Sequence, residues 1–154
     1  MSDGGAAEDG FTLLEVVCVV AIVAILAALV LPRIPLATSR PRLEAFAVNT
    51  ARLLKADRYA AIRRHQQINV QVDVAARTLR SGSTGQILRF PDDVVLDAAL
   101  PERCNNRPAL SAISFFASGM SCGGTIGLSR PGVGFEVRTN WLTGGIEIAP
   151  RDNK

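Results

Sequence analysis

Glu15 is the one charged side chain at the head of a long apolar segment. The residues that follow it, 16–31, are sixteen apolar residues without interruption. Inside a membrane, an ionised carboxylate costs on the order of 2.5 kcal/mol or more unless it finds a partner. Glu15 is therefore expected to form an ion pair with a positively charged group that another segment or molecule supplies. The alternative is that Glu15 lies near the membrane surface, where it stays hydrated or protonated.

Two cysteines form a second candidate feature. Cys104 and Cys122 enclose 17 residues, and a disulfide between them would stabilise the fold by about 3 kcal/mol if the geometry suits. This pairing would indicate an oxidising compartment, and the alternative is two unpaired thiols near turns. Cys18 lies within the apolar segment, where a cysteine behaves as a small hydrophobic residue.

A third pattern, Gly119-x-Ser121-x-Gly123, fits the turn that exposes a nucleophilic serine in many hydrolases. The only histidine, His65, precedes Ser121, and no helical pattern follows Gly123. The sequence therefore predicts a loop between strands and no enzyme. A lone histidine makes no metal site, so His65 is expected at a helix end or on the surface. Neither a metal nor another cofactor is expected.

The elements that must position these residues begin at the N-terminus. Residues 1–10 are polar and acidic and are predicted to be a leader peptide. Residues 11–31 span about 31 Å as a helix at roughly 1.5 Å per residue, which matches a hydrocarbon core of roughly 30 Å. They are predicted to form a transmembrane helix. Pro32 and Pro35 can bend the chain as it leaves the bilayer.

The remaining residues, 32–154, are enough for one domain with its own core. Apolar residues recur at steps of three and four from Leu43 to Ala61, which predicts an amphipathic helix over about 41–65. Alternating patterns then predict an antiparallel β-rich region over 68–149. The predicted strands are 68–73, 78–80, 86–90, 94–96, 112–116, 125–128, 133–138 and 145–148. The fold class is α+β, with a long membrane-spanning helix that continues into the amphipathic helix packed on an antiparallel β-sheet.

The N-terminal residues resemble the processing signal of type IV pilins and type II secretion pseudopilins. The resemblance rests on Gly10 directly before Phe11, the stretch Thr-Leu-Leu up to Glu15, the apolar helix and Pro32. It implies that a prepilin peptidase cuts between Gly10 and Phe11 and N-methylates the new Phe11 terminus. The amine of Phe11 on one subunit would then pair with Glu15 on its neighbour, which relieves both desolvation costs and sets the axial register.

The C-terminal half is similar to one branch of this family, the minor pseudopilins of the H and FimT type. An Ile-x-Phe strand at 113–115, Gly119, a Gly-Gly pair at 123–124 and a Thr-Gly turn at 143–144 follow the order and spacing of that branch. Members usually carry a basic residue after the Thr-Gly turn, where this chain has Gly145, so no role is assigned to that position.

This resemblance implies a pilin-like fold and an assembly function without catalysis. The implied role is that of a minor pseudopilin of the type II secretion system at the pseudopilus tip, supporting protein secretion across the outer membrane. The implied partners are other minor pseudopilins, the major pseudopilin, the prepilin peptidase, the inner membrane, and the secretin or the secreted cargo.

The charges on either side of the apolar segment predict a membrane topology opposite to the one that the family implies. The leader has no Lys or Arg, whereas Arg33, Arg40 and Arg42 follow the apolar segment, and the positive-inside rule would place the domain in the cytoplasm. The resemblance implies a single-pass bacterial inner-membrane protein with a periplasmic domain. We adopt the latter topology because the Gly-Phe junction is more particular than a charge bias over short flanks.

The alternative function is that of a FimT-like minor pilin of a type IV pilus that binds DNA for uptake. Three of the fourteen acidic residues precede Phe11, which leaves 17 basic against 11 acidic residues and a net charge of +6. We do not expect nucleic acid as a partner, because a solvated surface explains the scattered arginines equally well. The arginines considered are Arg58, Arg63, Arg64, Arg77, Arg80 and Arg89.

Overall fold

The computed structural model of the chain describes residues 12–30 and 38–151. The chain divides into two compact units, Met1–Leu36 and Ala37–Lys154. The first unit contains helix α1, Leu13–Val30. Among the described residues, no helix is long and apolar enough to cross a membrane.

Several sequence predictions fall outside the described residues. These are the leader 1–10, both ends of the predicted transmembrane segment 11–31, and the bend expected at Pro32 and Pro35. The expected continuation of the first helix into the second therefore also lies outside them and stays a prediction.

Helix α2, Arg40–Arg64, opens the second unit, one residue from either end of the predicted range. Pro41 lies in its first turn, where the missing N–H of proline costs no helical hydrogen bond. His65 ends the helix in the left-handed conformation with φ 51°. The N–H of Gln66 donates to the carbonyl oxygen of Ala61 at 3.3 Å, which satisfies one of the last free carbonyls. His65 is therefore a C-cap residue, as the sequence predicts.

In the described part of the chain, ten strands follow α2, and all their pairings are antiparallel. The strands are β1 Ile68–Asp73, β2 Thr78–Arg80, β3 Ile87–Arg89, β4 Val95–Ala99, β5 Arg103–Cys104, β6 Arg107–Pro108, β7 Ala112–Phe115, β8 Gly124–Arg130, β9 Val133–Thr139 and β10 Ile146–Arg151. One four-stranded sheet has the order β3-β2-β1-β7, and the other has the order β10-β9-β8-β4. Strands β5 and β6 form a separate two-stranded hairpin.

The hydrophobic core of this unit lies where α2 packs against strands of both sheets. In β1, buried and exposed residues alternate along the whole strand, so that one face of the strand meets the helix and the other faces outward. Each fully buried aliphatic side chain contributes roughly 1.5–3 kcal/mol by leaving water. Fully buried side chains at the centre of this core include Leu43, Leu54, Val70, Ile113, Leu128 and Val137.

The α+β class and the helix packed on antiparallel strands are confirmed by the structure. The sequence missed the β5–β6 hairpin because two-residue strands are too short to show an alternating pattern. It also ended β10 early. This strand runs on through Pro150, which is compatible with strand structure because β10 lies at a sheet edge.

Candidate assembly site

Glu15 lies in the first turn of α1. Its N–H donates to the carbonyl oxygen of Thr12 at 3.0 Å and to the Thr12 hydroxyl at 3.3 Å, so that Thr12 caps the helix. A carboxylate in the first turn is also favoured by the helix dipole. The sequence reasoning missed this cap, although Thr followed three residues later by Glu is a known helix-start signal. Gly10 and Phe11, the other predicted residues of this site, lie outside the described residues.

Over residues 13–27, the apolar side chains of α1 are exposed on all sides of the helix. The exposed fraction of the large ones ranges from 50% at Val16 to 84% at Leu13. A helix that is apolar all round is stable only when lipid or other helices cover it. Cys18 is exposed on the same helix as a free thiol.

Cys104 and Cys122 are joined by a disulfide, and their Cα atoms lie 5.6 Å apart. The bond ties the β5–β6 hairpin to the loop between β7 and β8. Two segments that are distant in sequence are thereby held at one place on the surface.

Arg58 on α2 connects the helix to two loops. Its Nε donates to the carbonyl oxygen of Gly119 at 2.9 Å, and its Nη2 donates to the carbonyl oxygen of Thr143 at 2.9 Å. Gly144 must be glycine, because its φ is 64° and a Cβ there would collide with the carbonyl oxygen of Gly119. The planar guanidinium thus holds the β7–β8 and β9–β10 loops side by side.

These two loops present an exposed apolar cluster, which we call the loop patch: Met120, Trp141 and Leu142. Their exposed fractions are 38%, 63% and 54%. The N–H of Ser121 donates to the carbonyl oxygen of Trp141 at 3.0 Å, which keeps the two loop tips together. Exposed tryptophan beside other exposed apolar side chains is typical of protein–protein contact surfaces.

Ser121 does not have the geometry of a hydrolase nucleophile. It is buried, its hydroxyl accepts the N–H of Gly123 at 2.9 Å, and it forms a β-bridge with Phe115 rather than a strand-to-helix turn. His65 caps α2 on the exposed surface. Within residues 12–30 and 38–151, no group of three potential metal-ligating side chains comes together.

Three of the arginines considered for DNA binding donate within the domain. Arg58 holds the two loops, Arg64 donates to the carbonyl oxygen of Ser83 at 3.3 Å, and Arg77 pairs with Asp92. The other three, which are exposed, lie on α2, β2 and β3: Arg63, Arg80 and Arg89.

Asp93 forms hydrogen bonds with Thr38, the first described residue of the second unit. This carboxylate accepts hydrogen bonds from the backbone N–H of Thr38 and from its hydroxyl, the latter at 2.9 Å. The N–H of Thr38, and after it the hydroxyl, lower the pKa of Asp93 below its usual value because both stabilise the ionised form. Thr38 itself is buried. The first described residue of the second unit is therefore attached to the loop before β4.

A family model described as the prokaryotic N-terminal methylation motif matches residues 6–31 of the chain. A comparison with curated proteins finds no match. Among solved structures, the chain is similar to the minor pseudopilin EpsH from the type 2 secretion system of Vibrio cholerae, with a TM-score of 0.55, 18% identity, and coverage of 70% of this chain and 95% of EpsH. It is also similar to the type IV minor pilin FimU of Pseudomonas aeruginosa, with a TM-score of 0.52, 15% identity, and coverage of 75% of this chain and 92% of FimU.

The chain therefore combines a pilin-like fold with a match to the N-terminal methylation motif. The likeness to the minor pseudopilin EpsH is one of fold, over 70% of this chain.

Proposed function

We propose that this protein is a minor pseudopilin of a type II secretion system, anchored in the bacterial inner membrane with its folded domain in the periplasm. The observation that carries the proposal is the N-terminal methylation motif over residues 6–31, which contains Gly10, Phe11 and Glu15. The similarity of the domain to EpsH supports the secretion branch. The disulfide between Cys104 and Cys122 suits an oxidising compartment such as the periplasm.

In the proposed sequence of events, residues 11–31 hold the precursor in the membrane and the prepilin peptidase cuts between Gly10 and Phe11. The peptidase then N-methylates the amine of Phe11. On assembly, this amine pairs with Glu15 of a neighbouring subunit, because each charge lacks another partner in an apolar helix bundle. The subunit joins the pseudopilus tip with other minor pseudopilins and the major pseudopilin, where it meets the secretin or the secreted cargo.

Processing is tested by mass spectrometry of the protein extracted from membranes of cells with and without an active prepilin peptidase. The expected result is an N-methylated Phe11 terminus only when the peptidase is active. An intact Met1 terminus in cells with active peptidase would contradict the proposal.

Assembly is tested with Glu15→Gln, which removes the charge and keeps the shape. The variant should be cut and methylated normally, and its recovery with cross-linked pilin-like subunits should fall at least about tenfold, because breaking a charge pair inside an apolar assembly leaves the Phe11 amine unpaired. Glu44→Gln, on the exposed surface of α2, is the matched control. Equal recovery of Glu15→Gln and the wild type would contradict the role assigned to Glu15.

A type IV pilus minor pilin is the second candidate, and the similarity to FimU favours it. The gene neighbourhood separates the two, because secretion and pilus operons differ. Expression in strains that lack either the H-type pseudopilin or the FimU-type pilin gives the functional answer. Restored secretion supports the first candidate, and restored piliation supports the second.

A further inference from the structure

A groove runs along the outward face of β1 and extends beyond the end of this strand. A cavity of about 530 Å³ has Gln67, Asn69 and Gln71 on one wall. The other wall is residues 104–110, part of the disulfide-tethered β5–β6 hairpin with the loop that follows it, which we call the arm; it includes Arg107 and Leu110. A second cavity of about 640 Å³ shares Gln71 and Leu110 with the first and continues past Asp73 to Ala98 and Leu100, which pack against the core. We call this continuous feature the β1 groove.

The β1 groove carries side-chain amides at every second residue. Gln67, Asn69 and Gln71 are all exposed on the same face, and alternate residues of a strand are about 6.6 Å apart. This repeat equals the repeat of a second extended polypeptide, whose C=O and N–H groups also return to one side every two residues. A primary amide offers both a donor and an acceptor, so the row is complementary to a peptide backbone.

Some polar groups of the groove have no hydrogen-bond partner among the described residues, and others are held in a fixed orientation. Gln67 Nε2 donates to Asn69 Oδ1 at 2.9 Å, which orients these two amides. No described residue hydrogen-bonds the amide of Gln71 or the guanidinium of Arg107. The expected length of the ligand follows from β1, because the distance from Gln67 to Asp73 is about 20 Å and holds about seven extended residues.

The rim of the groove is strained and apolar. Leu110 and Ser111 have φ angles of 48° and 54°, a region that bulky residues rarely adopt. Leu110 is 82% exposed. The N–H of Val72 donates to the carbonyl oxygen of Ser111 at 3.0 Å, so this unusual conformation is attached to β1. The fold thus maintains a leucine over the groove where it can cover a bound chain.

The charges of the groove indicate the side chains of the partner. Arg107 lines the first cavity from the arm, and Arg80, which lines neither cavity, is the register partner of Gln71 on the neighbouring strand. None of the described residues that line the first cavity carries a carboxylate. Asp73, at the far end, already accepts the N–H of Ala76 at 2.7 Å. An acidic side chain near the middle of the ligand would therefore be complementary to the groove.

We propose that the β1 groove binds an extended polypeptide segment of another protein, about seven residues long and with an acidic residue near its centre. An oligosaccharide fits the groove less well, because no aromatic ring is present among the described lining residues for a sugar to stack on. The proposal goes beyond assembly through α1 and does not depend on processing at Gly10.

The test uses the full-length chain in detergent and a fluorescein-labelled heptapeptide of alternating threonine and valine with one central glutamate. Fluorescence polarisation should show saturable binding, and NMR should show shifts of the side-chain amides of Asn69 and Gln71. The same peptide with alternate backbone nitrogens methylated should bind at least about tenfold more weakly, because the donors facing the amide row are removed. Equal binding of the methylated peptide would overturn the proposal.

Variants locate the site. The double variant Asn69→Ala, Gln71→Ala should weaken peptide binding about tenfold. Arg107→Ala should weaken binding of the peptide with central glutamate but not of the same peptide with central glutamine. Gln86→Ala and Arg63→Ala, exposed residues that do not line the groove, are the matched controls, and thermal melting verifies folding. No peptide binding up to about 1 mM, a weak complex by the affinity scale, would overturn the proposal. Preferential binding of a chito-oligosaccharide would do so as well.

Discussion

Asp57 is a carboxylate with no solvent exposure in the middle of α2. It accepts the hydroxyl of Ser81 at 2.7 Å, the N–H of Gly82 at 2.9 Å and the N–H of Ser83 at 3.2 Å, together with the hydroxyl of Ser83. A buried charge is tolerated only when its oxygens are satisfied in this way. Asp57 therefore attaches the β2–β3 turn to the helix.

Asp57→Ala should lower the free energy of unfolding by about 2–4 kcal/mol, because several buried donors lose their acceptor at once. Urea unfolding followed by circular dichroism measures this. Asp92→Ala is the control, since the Asp92 side chain is 93% exposed in its pair with Arg77 and its loss should cost no more than about 1 kcal/mol. Similar losses for both variants would contradict the assigned role.

Asp93 should make stability depend on acid pH. Its pKa in the folded protein is lowered by the N–H and the hydroxyl of Thr38, so its contribution is complete above the unfolded pKa of about 4 and is lost as the pH falls through the lower folded value. Thermal melts between about pH 5 and pH 2 should therefore show a larger decrease for the wild type than for Asp93→Asn. Parallel curves would show that the carboxylate adds nothing to folding.

At the scale of elements, a side chain of α2 and one disulfide bond fix the positions of several loops in the second unit. Arg58 holds the β7–β8 and β9–β10 loops, and the disulfide from Cys104 to Cys122 holds the β5–β6 hairpin to the first of them. The loop patch and the arm of the β1 groove are positioned by these few contacts. The two-residue strands of the hairpin would be too short to keep this arrangement by themselves.

Arg58→Lys should release the two loops although the positive charge remains. An ammonium group cannot reproduce the two fixed N–H directions of the guanidinium, and the expected loss of stability is about 1–3 kcal/mol. Amide hydrogen exchange should become faster at Gly119 and Gly144. Arg63→Lys, on the exposed face of the same helix, should leave these rates unchanged. Unchanged amide exchange rates at Gly119 and Gly144 in Arg58→Lys would show that the two loops keep their positions without the guanidinium.

At the scale of the whole molecule, half of the six arginines considered for DNA binding are engaged within the domain. Arg58, Arg64 and Arg77 donate to groups of the domain itself. The other three, Arg63, Arg80 and Arg89, are exposed and remain available for the test that follows.

The full chain should form no discrete complex with duplex DNA below about 1 µM at about 150 mM salt, since non-specific complexes have dissociation constants of about 10⁻⁴–10⁻⁶ M under such conditions. An electrophoretic mobility shift measures this, and the Arg80→Ala, Arg89→Ala pair gives the comparison. A tighter, salt-dependent complex that this pair loses would favour the DNA-uptake pilin.

The amino-acid sequence by itself determined the features that are local along the chain. The N-terminal motif, the period of α2 and the alternation of most strands were readable because each depends on neighbours a few residues apart. These were sufficient for the fold class, for the candidate residues near Glu15 and for the pair of cysteines as one of two open possibilities.

Only the tertiary structure decided the contacts that join distant segments. Arg58 meets acceptors 61 and 85 residues away, Asp57 meets Ser81 across 24 residues, and the β1 groove exists because a hairpin arm returns over an outward strand face. Such contacts have no sequence period, because they arise when packing of the core brings separate loops to one place. The physical reason is that burial sets the pattern within each element, whereas the geometry of packing sets which polar groups meet between elements.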